Sequence, residues 1–198
     1  MAVSASLAGA RRLLEWLRRL PDRVRHTRRR ATVTREIGRW TLRSVLFVCH
    51  GNICRSPFAA SAFQRALPVP LRRRVRVKSV GFVEPGRPSP ERAIAAAARR
   101  GIDLTAHRST LLTREAARSS YLVVVMSPEQ AAAVRADFAR ESLVVVLGDL
   151  DPLPIESRTI RDPWGCGDDV FESSYARIER CVRALASAVA AGDETVRR

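Results

Sequence analysis

Short apolar runs recur along the chain from residue 44 onward, and they alternate with longer segments that have helical spacing. Each run is rich in valine or leucine and bounded by polar residues, which is typical of buried parallel strands. The alternation of strands with helices predicts an α/β domain with a central four-stranded parallel sheet flanked by helices. The predicted strands are Ser44–Cys49, Val75–Val80, Tyr121–Met126 and Ser142–Leu147.

The segments between these strands predict helices with recognisable ends. Pro57 suits the first position of a helix over Phe58–Leu67, because that position needs no backbone N–H. Gly101 suits the end of an alanine-rich helix that follows Pro90. Further helices are predicted over Pro128–Arg140 and from Asp168 onward, where apolar residues form a stripe with a period near 3.6 residues.

The chain divides near residue 44 into an extension, residues 1–43, and a predicted domain, residues 44–198. The net charge is +15, and residues 1–44 carry twelve arginines against three acidic residues, so most of the basic excess lies in the extension. Leucines from Leu7 to Leu20 can share one helical face opposite arginines, which fits a helix that binds a membrane surface or a partner protein. The alternatives are a helix packed on the domain, a disordered basic tail and an over-extended start site.

Several classes of protein are disfavoured by what the chain lacks. No apolar run approaches the roughly 18 residues that span a bilayer, and no secretory leader is visible, so a cytoplasmic protein is expected. Peripheral attachment at the inner membrane surface through the extension remains an alternative. Base-stacking aromatic residues are scarce among the arginines, so no specific nucleic acid is expected as partner.

The four cysteines are expected to be reduced thiols. No export signal places the chain in an oxidising compartment, and a domain of this size needs no disulfide. No second pair of metal ligands follows at the spacing of a zinc site, so no metal is expected. The cysteines are Cys49, Cys54, Cys166 and Cys181.

The most informative segment is Val48–Pro57, with the sequence Val-Cys-His-Gly-Asn-Ile-Cys-Arg-Ser-Pro. It joins the first strand to a helix, and a loop that runs into a helix N-terminus directs backbone N–H groups at one point, as a phosphate requires. Arg55 adds a guanidinium that can hold two phosphate oxygens. The same positive focus favours the thiolate of Cys49, which is the nucleophilic form, and Ser56 can donate a hydrogen bond to it.

Cys, five residues and Arg, with Gly-Asn inside and Ser-Pro after, resembles the signature of the low-molecular-weight protein tyrosine phosphatases. The resemblance covers roughly residues 44–190. It implies a Rossmann-like three-layer fold of the phosphotyrosine phosphatase I type, attack by Cys49 on phosphorus, and a cofactor-free route through a phosphocysteine. It further implies that the phosphate or substrate contacts include His50, Gly51, Asn52, Ile53, Cys54 and Ser56.

The family also places a general acid in an Asp-Pro-aromatic segment near the C-terminus. Asp162, followed by Pro163 and Trp164, matches that segment and is expected to protonate the leaving group and then activate water. Trp164 would flank the pocket. Asp151-Pro152 is a second copy, but leucine follows it. The resemblance also matches His107 to a histidine that hydrogen-bonds the phosphate loop.

Two other functions stay open at this point. A thioredoxin-coupled arsenate reductase shares the loop but needs two further cysteines between it and the Asp-Pro segment, and none lies between Cys54 and Asp162. A phosphate-binding scaffold would be signalled by loss of Cys49, Arg55 or Asp162, and all three are present. The physiological phosphoprotein is not specified, although the resemblance suggests a bacterial tyrosine kinase. Residues 81–86 look shorter than the usual pocket-lining loop.

Overall fold

A four-stranded parallel sheet forms the centre of the molecule. The computed structural model describes residues 22–138 and 142–197. The strand order is β2–β1–β3–β4, so β1 and β3 are central and β4 is an edge strand. This confirms the predicted fold class, and each predicted strand end lies within one residue of the observed end. The strands are β1 Ser44–Cys49, β2 Arg76–Gly81, β3 Leu122–Val125 and β4 Leu143–Val146.

Seven helices surround the sheet in the described part of the chain. Helix α1 occupies residues 22–37, and a 3₁₀ turn, Leu147–Leu150, follows β4. The short helices α3 and α5 had no sequence prediction. The remaining helices are α2 Arg55–Ala66, α3 Val69–Arg72, α4 Glu91–Ala98, α5 Arg114–Arg118, α6 Pro128–Asp137 and α7 Asp168–Arg197.

Two predicted helix ends need correction. Helix α2 begins at Arg55, so Pro57 is its third residue and not its first; the position is tolerated because N–H groups of a first helical turn lack partners within the helix. Helix α6 ends at Asp137 and not at Arg140. Phe138 leaves the helical conformation. Its ring packs edge-on against the ring of Phe82, with the ring centroids 6.2 Å apart. Residues 139–141 lie outside the described residues.

The two faces of the sheet bury separate apolar clusters, because successive strand residues point to opposite faces. Phe47 of β1 faces the larger cluster, which includes residues of α2, α4 and α7. Leu46 and Val48 face a smaller cluster with residues of α5 and α6. The result is a helix–sheet–helix arrangement of three layers.

Helix α1, which lies within the predicted extension, packs against the domain. Ile37 is fully buried in the larger cluster. His26 contacts the backbone oxygen of Asp151 through Nε2 at 2.9 Å, and the carboxylate of Asp22 accepts a hydrogen bond from the backbone N–H of Arg158. The predicted amphipathic segment Leu7–Leu20 lies outside the described residues, and the division of the chain at residue 44 stays a prediction.

Two buried carboxylates follow β4, and arginines neutralise both. Asp149 accepts two hydrogen bonds from Arg158, at 2.8 and 2.7 Å. Asp151 is paired with Arg177 at 3.0 Å and Arg180 at 3.2 Å. The pairs of Asp151 connect the segment after β4 to α7. No helix among residues 22–138 and 142–197 is long and apolar enough to cross a membrane.

Asp151→Asn should lower the free energy of unfolding by about 3 kcal/mol, since removal of the buried carboxylate leaves two partly buried arginines uncompensated. Asn keeps the size of the side chain but loses its charge, so Arg177 and Arg180 would both lack a counter-ion. Urea denaturation measures the change. The matched control is Asp137→Asn on the exposed end of α6, where a change within about 0.5 kcal/mol is expected. Equal stability of the two variants would contradict the structural role of Asp151.

Candidate active site

The loop between β1 and α2 forms the floor of a pocket of about 130 Å³. Strand β1 ends at Cys49, five loop residues follow, and α2 begins at Arg55. The pocket therefore lies at the carboxyl end of a central parallel strand, where ligands bind in open α/β sheets. Its lining consists of Cys49, His50, Gly51, Ile53, Cys54, Arg55, Val83, Arg87, Asp162 and Trp164.

Asn52 does not line the pocket but holds the loop in shape from behind. Its backbone is left-handed, with φ of 51°, a conformation that asparagine tolerates better than most residues. Its side-chain Nδ2 donates to Ser56 and Ser79, each at 2.9 Å, while Oδ1 accepts from the backbone N–H of Thr110 at 2.8 Å. The backbone oxygen of Asn52 is 2.6 Å from Nε2 of His107. His107 thus contacts the loop through Asn52.

A chain of hydrogen bonds leads from Asn52 to the sulfur of Cys49. The Oγ of Ser56 accepts from Asn52 and lies 3.1 Å from the Sγ of Cys49. A hydroxyl has one proton to donate, and Val80 offers only a longer contact of 3.4 Å. The geometry therefore lets Ser56 donate to a Cys49 thiolate.

The end of β2 supports the loop through a close backbone approach at Gly81. A Cβ atom at this position would lie 2.8 Å from the backbone nitrogen of Asn52 and 2.8 Å from the oxygen of His50. The backbone N–H of Phe82 donates to the same His50 oxygen at 2.8 Å. Only glycine leaves room for this contact, so a residue outside the motif helps to fix the motif.

Arg55 and Asp162 form an ion pair at the pocket. Arg55 is 4% exposed, and its other terminal nitrogen donates to the backbone oxygen of Ile160 at 3.1 Å. The other carboxylate oxygen of Asp162 accepts from the backbone N–H of Trp164 at 3.2 Å. Trp164 itself is 61% exposed at the rim. Of the two Asp-Pro copies, Asp162 lines the pocket, whereas Asp151 is buried in its arginine pairs.

Cys54 lies beside Cys49 in the pocket but has a different environment. Burial, followed by the negative charge of Cys49, raises the pKa of the Cys54 thiol to about 12. Its backbone oxygen accepts a hydrogen bond from the hydroxyl of Tyr175 at 3.2 Å. The Tyr175 ring stacks on Phe58 with centroids 4.0 Å apart. Helix α7 thus secures the start of α2.

Val83 and Arg87 complete the pocket wall, and the sequence reasoning missed both. Val83 lies within residues 81–86, the segment predicted to be short, and Arg87 directly follows it. The segment is anchored at a distance, because the backbone N–H of Arg87 donates to Ser109 Oγ and its oxygen accepts from the N–H of Ser109. The Arg87 side chain makes an ion pair of 3.8 Å with exposed Glu84. No group of three or more potential metal ligands occurs in the part of the chain that the structure describes.

This fold and pocket define a cysteine-dependent phosphatase on a parallel α/β sheet. Comparison with known sequences then assigns the lineage: residues 44–195 match the family model described as low molecular weight phosphotyrosine protein phosphatase, and the chain belongs to that family. It is 35% identical over 142 residues to the low molecular weight protein-tyrosine-phosphatase Etp of Escherichia coli K12, covering 69% of this chain and 88% of Etp.

Solved structures give the same assignment. The tyrosine phosphatase Wzb of Escherichia coli K30, in complex with sulphate, is similar with a TM-score of 0.65 at 28% identity, covering 74% of this chain and 97% of Wzb. The YwlE arginine phosphatase of Geobacillus stearothermophilus is similar with a TM-score of 0.65 at 27% identity, covering 78% of this chain and 96% of YwlE. Structures similar to this chain thus include one named a tyrosine phosphatase and one named an arginine phosphatase.

Mild peroxide should convert Cys49 and Cys54 to a disulfide that a thiol reductant reverses fully. The sulfenic acid formed on Cys49 would be attacked by Cys54, with loss of water, before further oxidation occurs. Because the thiolate of Cys54 attacks and its pKa is raised to about 12, the bridging rate should rise with pH. Mass spectrometry and recovery of activity measure both effects.

The control for this experiment is Cys166→Ser, which alters the partly exposed cysteine after Asp162. It should recover as the unmodified protein does, whereas Cys54→Ser should lose activity irreversibly. Full recovery of Cys54→Ser would show that Cys54 has no protective role.

Proposed function

We propose that the protein hydrolyses phosphotyrosine in other proteins through a phosphocysteine on Cys49. The observation that carries the proposal is that one pocket holds a cysteine at its floor, a buried arginine beside it and a carboxylate paired to that arginine. These are the three groups that phosphate transfer through a thiol requires: a nucleophile, an electrostatic clamp and a proton donor.

In the first step the Cys49 thiolate attacks phosphorus, and the bond between phosphorus and the phenolic oxygen breaks. Arg55 and the inward N–H groups of the loop stabilise the charge on the transferring oxygens. Once the substrate phosphate has taken its place at Arg55, Asp162 in its protonated form delivers its proton to the departing oxygen, so tyrosine leaves as the neutral phenol. Ser56 maintains its hydrogen bond to the sulfur, which favours the thiolate.

In the second step Asp162 takes a proton from water as the water oxygen attacks phosphorus. The sulfur–phosphorus bond breaks, inorganic phosphate forms, and Cys49 returns to the thiolate. His50, Gly51, Ile53 and Cys54 border the phosphate in this proposal, and Asn52 with His107 maintains the loop conformation. No cofactor or metal enters either step.

The wall of the pocket favours an aromatic leaving group over a phosphorylated arginine. Ile53, Val83 and Trp164 provide apolar surface, which suits a phenyl ring. A guanidinium leaving group would instead meet the positive charge of Arg87, and like charges repel. We therefore propose phosphotyrosine proteins as the substrates, with a bacterial tyrosine kinase among the candidates. We also propose a cytoplasmic location.

Arsenate reduction relayed through protein cysteines is the second candidate, and the placement of the other thiols opposes it. Cys181 is fully buried in α7, and burial raises the pKa of its thiol to about 12. A thiol in that position has neither the access nor the thiolate character that disulfide exchange needs.

The purified protein should hydrolyse phosphotyrosine peptides without added metal and in the presence of EDTA. Cys49→Ser should abolish turnover but still bind inorganic phosphate, because the loop and Arg55 remain. Phosphoarginine peptides and arsenate with thioredoxin serve as competing substrates in parallel assays. Loss of activity with EDTA, or faster turnover of either competing substrate, would overturn the proposal.

Asp162→Asn should lower turnover of aryl phosphates by about a hundredfold or more, the range usual for general acid–base groups. The loss should shrink as the leaving phenol becomes more acidic, because an acidic phenol needs less protonation. Turnover across a series of phenols measures this dependence. Asp151→Asn, assayed per folded molecule, is the control and should keep the wild-type dependence. A steeper dependence in Asp151→Asn would reverse the assignment.

A further inference from the structure

A second concave site lies between helix α1 and the edge strand β4, separate from the catalytic pocket. Its volume is about 380 Å³, within the range of about 300–1,000 Å³ that is usual for small-molecule sites. It shares no lining residue with the catalytic pocket. One of its walls is α1, which precedes residues 44–195 that match the family.

Arginines from three separate elements converge on this groove. Helix α1 contributes Arg25, Arg28 and Arg29, while Arg135 comes from α6 and Arg158 from the segment before Asp162. Against these five guanidinium groups stand two carboxylates, so the lining has an excess of three positive charges. The floor is apolar and consists of Val33 and Val144–Val146.

The charges differ in whether they are already neutralised. Asp149 accepts two hydrogen bonds from Arg158 and lies 3.4 Å from Arg29, so this carboxylate does not repel an incoming anion strongly. Arg25 and Arg28 are exposed and have no hydrogen-bond or ion-pair partner among the residues the structure describes.

The helical spacing makes the two unpaired arginines neighbours. Arg25 is three residues before Arg28 on one face of α1, where like charges repel, whereas Arg29 is already paired with Asp22 at 3.4 Å. An anion between Arg25 and Arg28 replaces this repulsion with charge-assisted hydrogen bonds, and a guanidinium presents paired donors that match phosphate oxygens.

We propose that the groove binds a soluble small molecule with two or more linked phosphate groups, of the diphosphate or nucleoside-diphosphate class. Several separated arginines fit linked phosphates better than a single phosphate, since linked phosphates can pair with guanidinium groups on more than one element at the same time. The valine floor offers apolar surface to whatever the phosphates are attached to. Glu36 at one end opposes the ligand and limits its charge.

Calorimetry on full-length Cys49→Ser protein, which cannot turn over a phosphoester, tests the proposal with inorganic pyrophosphate and ADP as probes. Each probe is expected to bind at two sites, the catalytic loop and the groove. Inorganic phosphate should block binding at the catalytic loop only. Arg25→Gln/Arg28→Gln in that background should weaken the other site by about tenfold or more. Glu36→Gln should strengthen it about threefold, an effect that a merely structural role would not produce.

The matched control is Arg23→Gln/Arg35→Gln, which removes the same charge from exposed positions of α1 outside the groove. It should leave the affinity of the second site within about twofold. In the wild-type background, both pairs of substitutions should leave aryl phosphate hydrolysis unchanged. Vesicles that contain a phosphorylated inositol lipid, and a single-stranded oligonucleotide, are tested alongside the two probes.

Three results would overturn the proposal. The first is that all pyrophosphate binding competes with inorganic phosphate at the catalytic loop. The second is that the control pair weakens the second site as much as the groove pair, which would indicate general charge attraction. The third is that vesicles or the oligonucleotide bind through the groove arginines while pyrophosphate and ADP do not, which would assign the groove to a macromolecular surface.

Discussion

The active site depends on the way Asn52 is held. A loop that turns its N–H groups inward toward a phosphate must turn its carbonyl groups outward, and these need partners elsewhere. Asn52 meets this requirement with a left-handed backbone, a side chain bonded on both its nitrogen and its oxygen, and a carbonyl that His107 contacts. Asn52 is thereby bonded both to the sheet, through Ser79, and to the segment at Thr110. This attachment fixes the loop and with it the position of Cys49.

Local patterns predicted the sheet well because its central strands, β1 and β3, are buried on both faces. Runs such as Leu122–Val125 allow few other interpretations, and β1 was predicted with its observed ends. The ends of helices were harder. The stop of α6 after Asp137 depends on where Phe138 finds a ring to pack on, and that partner, Phe82, is distant in sequence. Residue spacing does not contain that information.

The site was predictable where a contiguous motif carries it and not where the fold assembles it. Cys49 and Arg55 lie in one short segment. Arg87 reaches the pocket only because Ser109 anchors its backbone from another loop. The choice between Asp162 and Asp151 depended on an aromatic neighbour, while the physical difference between them is that α7 brings Arg177 and Arg180 to Asp151 alone.

The ion pair of Arg55 with Asp162 has a consequence for the end of the catalytic cycle. Asp162 is a tethered anion, and tethering gives it a high effective concentration at the guanidinium. Free phosphate must displace this internal competitor and gains only the contacts of the phosphate loop and Arg55 in return. A phosphotyrosine must displace Asp162 too, but the phenyl ring of the phosphotyrosine also packs against the apolar wall of the pocket. The ion pair therefore weakens the binding of free phosphate more than the binding of the ester, which favours release of the product over release of the substrate.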